Sequence, residues 1–165
     1  MIGDRWGVSE AEVARAYPCD QFMRRPHHEL WRGVTIDATP ARVWPWLRQV
    51  QLAPYSYDWI DNLGRRSPRT VIDRRDPTPG ERFSSIGGRY GVGRILSAVP
   101  NEQLTATIMG AVMSYVLVAD ADRTRLLLKI LVPRDHWYAR PLALGDWPMA
   151  RRQLMNFKAL TEGAS

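Results

Sequence analysis

Two carboxylates and two phenols crowd one short stretch of this chain: Tyr55, Tyr57, Asp58 and Asp61 all fall within residues 55–62. Asp58 and Asp61 are three apart, so on a helix they share a side. That spacing suits a general acid–base pair, or Asp58 working with Tyr55 or Tyr57 to polarise a bound carbonyl. The plainer reading is that both aspartates cap backbone groups near helix ends or tie the helix to neighbouring arginines. Structural ion pairs also perturb carboxylates, and the plainer reading is preferred.

Other reactive side chains offer less. The histidines are His27, His28 and His136, and the adjacent pair does not easily converge on one ion. With no His-x-x-x-His or Cys-x-x-Cys spacing, the chain is read as binding no metal and using no cofactor. It lacks a Gly-x-Ser-x-Gly elbow, which argues against a serine hydrolase. Cys19, the single cysteine, is read as inert rather than nucleophilic. The cluster Gly87-Gly88-Arg89-Tyr90-Gly91-Val92-Gly93 has neither the dinucleotide fingerprint nor the P-loop lysine, and strand-like residues flank it. It predicts a hairpin or bulge that bends a sheet.

Composition narrows the partners. The net charge of +6 comes almost entirely from arginine, since lysine occurs only at Lys129 and Lys158. The densest basic run is Arg65-Arg66-Ser67-Pro68-Arg69 with Arg74-Arg75. Asp73 and Asp76 interrupt it and no aromatic residues interleave it, so nucleic acid is not expected as a partner. A chain of 165 residues with 45% apolar content suits one globular domain with a real core. No apolar run approaches the roughly 20 residues that span a bilayer, so no membrane insertion is expected. The N-terminus lacks the basic-then-apolar pattern of a secretory signal, and one cysteine fits a reducing compartment; the expectation is a cytoplasmic protein.

The elements that must position these residues follow from periodicity and punctuation. Residues 1–30 read as an arm with a short helix, begun by the capping box Ser9-Glu10-Ala11-Glu12 and ended near Tyr17-Pro18. Residues 31–37 read as a strand. Thr39-Pro40 starts a helix whose apolar face is Val43, Trp46, Leu47 and Val50, with a kink expected at Pro45. A second short helix is expected over residues 56–63, closed by Gly64. Short strands are expected at residues 70–73 and 82–86, then longer ones at 93–99, 104–119 and 124–132. The last alternates Arg125 and Lys129 with Leu126, Leu128 and Ile130. A closing helix is predicted from about Asp146, with Pro148 in its first turn. Its inward stripe is Trp147, Ala150, Leu154, Phe157 and Thr161, while Arg151, Arg152 and Lys158 face water. Strands grouped between helices predict an α+β domain over residues 31–165, in which a curved antiparallel sheet wraps the C-terminal helix.

Particular residues add a resemblance. Val34-Thr35-Ile36-Asp37-Ala38-Thr39-Pro40-Ala41-Arg42-Val43-Trp44-Pro45-Trp46-Leu47 resembles the opening strand, Ala-x-Pro turn and first helix of the SRPBCC superfamily, also called START-like or birch-pollen-allergen-like, with the helix-grip fold. Tyr55-Ser56-Tyr57-Asp58-Trp59-Ile60-Asp61-Asn62-Leu63-Gly64 is similar to a segment of an uncharacterised bacterial branch. Thr124-Arg125-Leu126 and the helix around residues 149–160 complete the likeness, which covers about residue 30 to the end. The superfamily includes lipid carriers, hormone receptors, polyketide cyclases and interaction modules, so the resemblance implies a fold and not a chemistry.

A strongly bent sheet around one helix leaves volume for a ligand. The expected lining is Tyr55, Tyr57, Asp58, Trp59, Met113, Tyr115, Trp147, Leu154 and Phe157, with Trp44 and Trp46 as further aromatic candidates. The reading is a binding protein for a hydrophobic or amphipathic small molecule, lipid- or polyketide-like. The alternatives are a cyclase- or dehydratase-like enzyme using the same cavity, or an interaction module without a ligand. One pattern stands apart from the resemblance. On the stretch 104–119, Ile108, Val112, Val116 and Val118 are assigned one face and Met109, Met113, Tyr115 and Leu117 the other. Both faces are apolar, where a sheet wetted on one side would alternate with polar residues. Either the N-terminal arm, through Trp6, Tyr17, Phe22 and Met23, or a second subunit in a homodimer is expected to cover the outer face.

Overall fold

The computed structural model describes residues 4–51, 69–72, 75–83, 85–86, 90–91, 93–133 and 139–163, with side chains of the last stretch from Met149 onward. In chain order the elements are β1 (Arg5–Trp6), α1 (Glu10–Ala14), β2 (His28–Ile36), α2 (Pro40–Arg48), β3 (Ser85–Ile86) and β4 (Tyr90–Gly91). Then come β5 (Ile95–Val99), β6 (Gln103–Ile108), β7 (Ala111–Asp120), β8 (Arg123–Val132) and α3 (Ala139–Gly163). Six strands form one sheet in the order β1-β2-β8-β7-β6-β5. Every pairing is antiparallel except β1 with β2, which is parallel. The result is the expected α+β arrangement, with a mostly antiparallel sheet, a short helix after the long strand β2 and a long C-terminal helix packed on β2 and α2.

The local signals explain several elements. Ser9 Oγ accepts the Glu12 N–H at 3.2 Å while Glu12 accepts the Ser9 N–H at 2.8 Å, so the capping box forms as read. Helix α2 begins with Pro40 in its first turn and passes through Pro45 into a 3-10 turn over Gln49–Gln51. Its buried face is Val43, Trp44, Trp46 and Leu47. The strands either side of the expected glycine hairpin pair antiparallel, Ser85 with Gly91 and Ile86 with Tyr90. The helix expected over residues 56–63 lies outside the described residues.

Three expectations are corrected. Residues 104–119 are not one strand, because β6 and β7 form a hairpin around Met109 and Gly110, both at positive φ, 46° and 86°. The turn puts Ile108 against the inner core rather than on the face of Val112, and leaves Met109 exposed. Residues 70–72 form no strand. Gln49 takes the place of a partner there, its amide oxygen accepting from Ile72 N and its Nε2 donating to Thr70 O at 3.4 Å. Helix α3 begins at Ala139, not near Asp146, and spans 25 residues. Pro141 falls in its first turn, where a missing N–H costs nothing, so Pro148 marks the interior and not the start.

The sheet buries both faces. Inside, Leu30, Val34 and Ile36 of β2, Leu126, Leu128 and Ile130 of β8, and Met113, Tyr115 and Leu117 of β7 pack with α2 and α3 in one core. Outside, Val112, Val116, Leu127 and Leu131 form a second cluster with Tyr17 and Cys19 of the arm. The arm therefore covers this part of the outer face, the first of the two occupants expected there. Two of its expected contacts differ: Phe22 is 43% exposed, and Trp6 packs on the inner core instead of the outer.

Candidate functional site

Alternation along the strands decides which side chains face α3. In the sheet register Arg32 of β2 lies opposite Leu128 of β8, and Leu128 opposite Tyr115 of β7. These three share the inner face with the cluster around Met113. From the other side α3 presents Ala150, Gln153, Leu154, Phe157 and Thr161, all buried, as helical spacing predicts for one stripe. Arg151 and Arg152 are exposed. Lys158 donates to Thr35 O at 2.8 Å and to Glu162 at 2.6 Å, which fastens the helix end to β2.

Four of the nine expected site residues come together here. Met113, Tyr115, Leu154 and Phe157 all belong to the inner core, and Leu154 and Phe157 have no solvent exposure. Tyr115 also faces Phe83, with ring centroids 6.4 Å apart. Tyr55, Tyr57, Asp58 and Trp59 lie outside the described residues. Trp147 falls within α3, and its side chain is likewise outside them. Of the further aromatic candidates, Trp44 and Trp46 are buried, and Trp44 Nε1 donates to Asp76 Oδ1 at 2.6 Å.

The polar chemistry of this wall was not foreseen. Tyr115 Oη donates to Gln153 Oε1 at 2.6 Å, a buried bond that ties the sheet to the gripping helix. Arg32 is completely buried, and its Nη1 donates to the carbonyls of Asp4 and Trp31, each at 2.8 Å. A buried charge requires polar partners, and main-chain carbonyls supply two of them. One signal pointed to Gln153: it falls between Ala150 and Phe157, on the stripe that helical spacing turns inward. For Arg32 the even positions of β2 gave the inward face, but an arginine there reads as solvated until its partners are seen.

The described inner-face residues carry hydroxyl, amide and guanidinium groups, and no carboxylate or imidazole among them. Such a wall can orient a ligand by hydrogen bonds and by positive charge. Three acidic side chains instead sit on the outer face, where the arm lies. Arg125 grips Glu12, and Lys129 bonds Asp20 at 2.7 Å and Glu29 at 2.9 Å. Burial alone would lower the Lys129 pKa, but the two carboxylates outweigh it and raise it. The Lys129 ammonium also sits 5.4 Å from the Tyr17 ring centre and 5.3 Å from that of Trp31.

No family model and no curated protein matches the chain. Solved structures do. The protein MLL2253 of Mesorhizobium loti is 19% identical, with 84% of this chain and 99% of that one covered, at a TM-score of 0.56. SSP2350 of Staphylococcus saprophyticus is 9% identical, with coverage of 82% and 92% and a TM-score of 0.58. A conserved protein of unknown function from Enterococcus faecalis, EF2215, is 15% identical, with coverage of 83% and 72% and a TM-score of 0.54. At these identities the likeness is one of fold. With the sheet order and the gripping helix, it gives a helix-grip arrangement of a mostly antiparallel sheet and a C-terminal helix. No helix among the described residues is long and apolar enough to cross a membrane.

Proposed function

We propose that the chain binds an amphipathic small molecule between the inner face of the sheet and α3. The observation that carries this reading is the Tyr115–Gln153 pair, a polar couple set in a mostly apolar wall. Ligand sites of this kind are mostly apolar, with a few placed polar groups that fix orientation. Arg32 adds a positive charge to the same face, which favours a ligand with an acidic or strongly hydrogen-bonding end over a pure hydrocarbon. The helix-grip fold supports the location, since sheet and helix meet there. The described polar groups on this wall, Tyr115, Gln153 and Arg32, support orientation of a ligand by hydrogen bonds; in the enzyme alternative Asp58 would be the proton-transfer group. Asp58 with Tyr55, Tyr57 and Trp59 would complete the site in this reading, and Trp147 would extend it along α3.

The test is native mass spectrometry of the purified protein, followed by denaturing extraction. An amphipathic molecule that leaves with unfolding, and whose retention drops in Tyr115→Phe and Gln153→Leu, is the expected result. Clean apo protein, with no thermal shift across a panel of fatty acids, lipids and aromatic polyketides, overturns the reading.

A further inference from the structure

The arm meets the sheet in two groups of contacts: a light one along β1 and at β2, and a heavier one where Tyr17 and Cys19 join the outer cluster and Asp20 bonds Lys129 at 2.7 Å. At its start, Asp4 O accepts Trp31 N–H at 2.7 Å and Arg32 Nη1 at 2.8 Å, while Trp6 tucks against the inner core with the Arg151 guanidinium 4.9 Å above its ring. The chain then crosses β2. Gly7, at φ +66°, lies so close to Gly33 that a Cβ on it would meet Gly33 O at 2.3 Å. Past the crossing, Val8 lies with the outer cluster. The strap therefore has its two ends on opposite faces of the sheet. Helix α1 buries no side chain, and the next buried contacts are Tyr17 and Cys19.

One side chain joins these points. Arg125 bonds Gly7 O at 2.7 Å, Glu12 at 2.8 and 2.9 Å, and Thr35 Oγ1 at 3.0 Å. Segments with few buried contacts open at lower free energy than the ladders beneath them. β1 has two paired residues, whereas β7 and β8 share a register of nine. Loss of the Arg125 contacts would free the crossing and the helix together.

We propose that residues 4–21 form a releasable strap, whose lifting withdraws Trp6 from the inner core and opens an entrance for an amphipathic ligand along the β1 edge beside α3. The entrance rests on the binding function proposed above; the release does not. The chain carries its own reporter. Cys19, near the far end of the strap, is fully buried against the outer face, and desolvation foremost pushes its thiol up to about 11, so the closed strap hides it and disfavours its thiolate.

The experiment follows Cys19 reaction with a disulfide reagent at mildly alkaline pH in the full chain. It is run beside hydrogen exchange of the β7 and β8 amides and stopped-flow uptake of anilinonaphthalene sulfonate. The expected result is labelling through openings at least about tenfold more frequent than those of the core amides. Arg125→Gln should accelerate labelling roughly tenfold, with labelling still well ahead of core exchange, and dye uptake should quicken by a similar factor. Glu12→Gln is the milder variant should Arg125→Gln fold poorly. Labelling that keeps pace with core exchange across a denaturant series overturns the strap. Faster labelling with an unchanged uptake rate overturns the entrance. If no variant takes up dye, the binding function fails and the entrance with it, while Cys19 still decides the strap.

Discussion

Arg125 grips both carboxylate oxygens of Glu12, with Nε at 2.8 Å and Nη2 at 2.9 Å, across 113 residues of sequence. The pair is mostly buried, and the same guanidinium reaches Gly7 O and Thr35. Breaking one partner of such a pair strands the other in a poorly solvated place. Arg125→Gln is expected to lower stability by about 2 kcal/mol, measured by urea denaturation. An unchanged midpoint would mean that the pair is no more than a surface contact.

The pH dependence follows from the same carboxylate. The Arg125 hydrogen bond, foremost, holds Glu12 below its ordinary value of 4.5. A carboxylate depressed in the folded state adds stability that is complete above its unfolded value and is lost as pH falls through the folded one. Glu81 behaves likewise further down, held to about 2, first by the Thr78 hydroxyl and then by Gln51 and Arg75. Unfolding midpoints should therefore be flat near neutrality and fall below about pH 4.5. Glu12→Gln should make that fall shallower; a parallel profile in the variant would refute the assignment.

Inside the grip, Tyr115→Phe removes the hydroxyl and leaves the Gln153 carbonyl oxygen without that donor. A cost of about 1–2 kcal/mol is expected. A double-mutant cycle with Gln153→Leu should give a favourable coupling of about 0.5–1.5 kcal/mol. Additive effects within error would show that the two side chains act separately.

At the crossing, a Cβ on Gly33 would lie 2.8 Å from Gly7 O and 2.9 Å from both Arg125 Nη2 and Val8 Cγ1. Gly33→Ala is expected to cost about 1–3 kcal/mol by overpacking. The same change should make Cys19 measurably reactive. A destabilised variant whose Cys19 stays protected would place the damage in β2 and not in the arm.

The β6–β7 turn offers a gain. Met109 sits at φ +46° before Gly110 at φ +86°, a geometry that Asn-Gly adopts readily in two-residue hairpins. Met109→Asn should stabilise the protein by about 0.5–1 kcal/mol, read as a rise in Tm.

Much of the architecture was legible because its signals are periodic or local. The stripe Ala150, Leu154, Phe157 and Thr161 and the alternation of β8 each name a face without reference to any other segment. The capping box of Ser9 and Glu12 needs only four residues. The hairpin at Met109 was hidden because apolar alternation runs straight through it, and methionine gives no turn signal. The start of α3 was hidden by two prolines, either of which satisfies the first turn. Site chemistry was harder still. Arg32 meets the carbonyl of its neighbour Trp31 and that of Asp4, and the second contact exists only once the start of the arm has paired beside β2. Arg125 and Lys129 were read on the correct face, but their carboxylate partners in the arm are more than a hundred residues away.

The lysines carry a practical consequence. The chain has two, and each ammonium is engaged: Lys129 with Asp20 and Glu29, Lys158 with Thr35 O and Glu162. Its remaining basic side chains, histidines aside, are guanidinium groups, which amine-selective reagents do not acylate. Lysine-directed cross-linking would therefore find this basic protein nearly blank. Proximity maps of any complex it forms are better built from acidic-residue chemistry, or from a cysteine introduced away from Cys19.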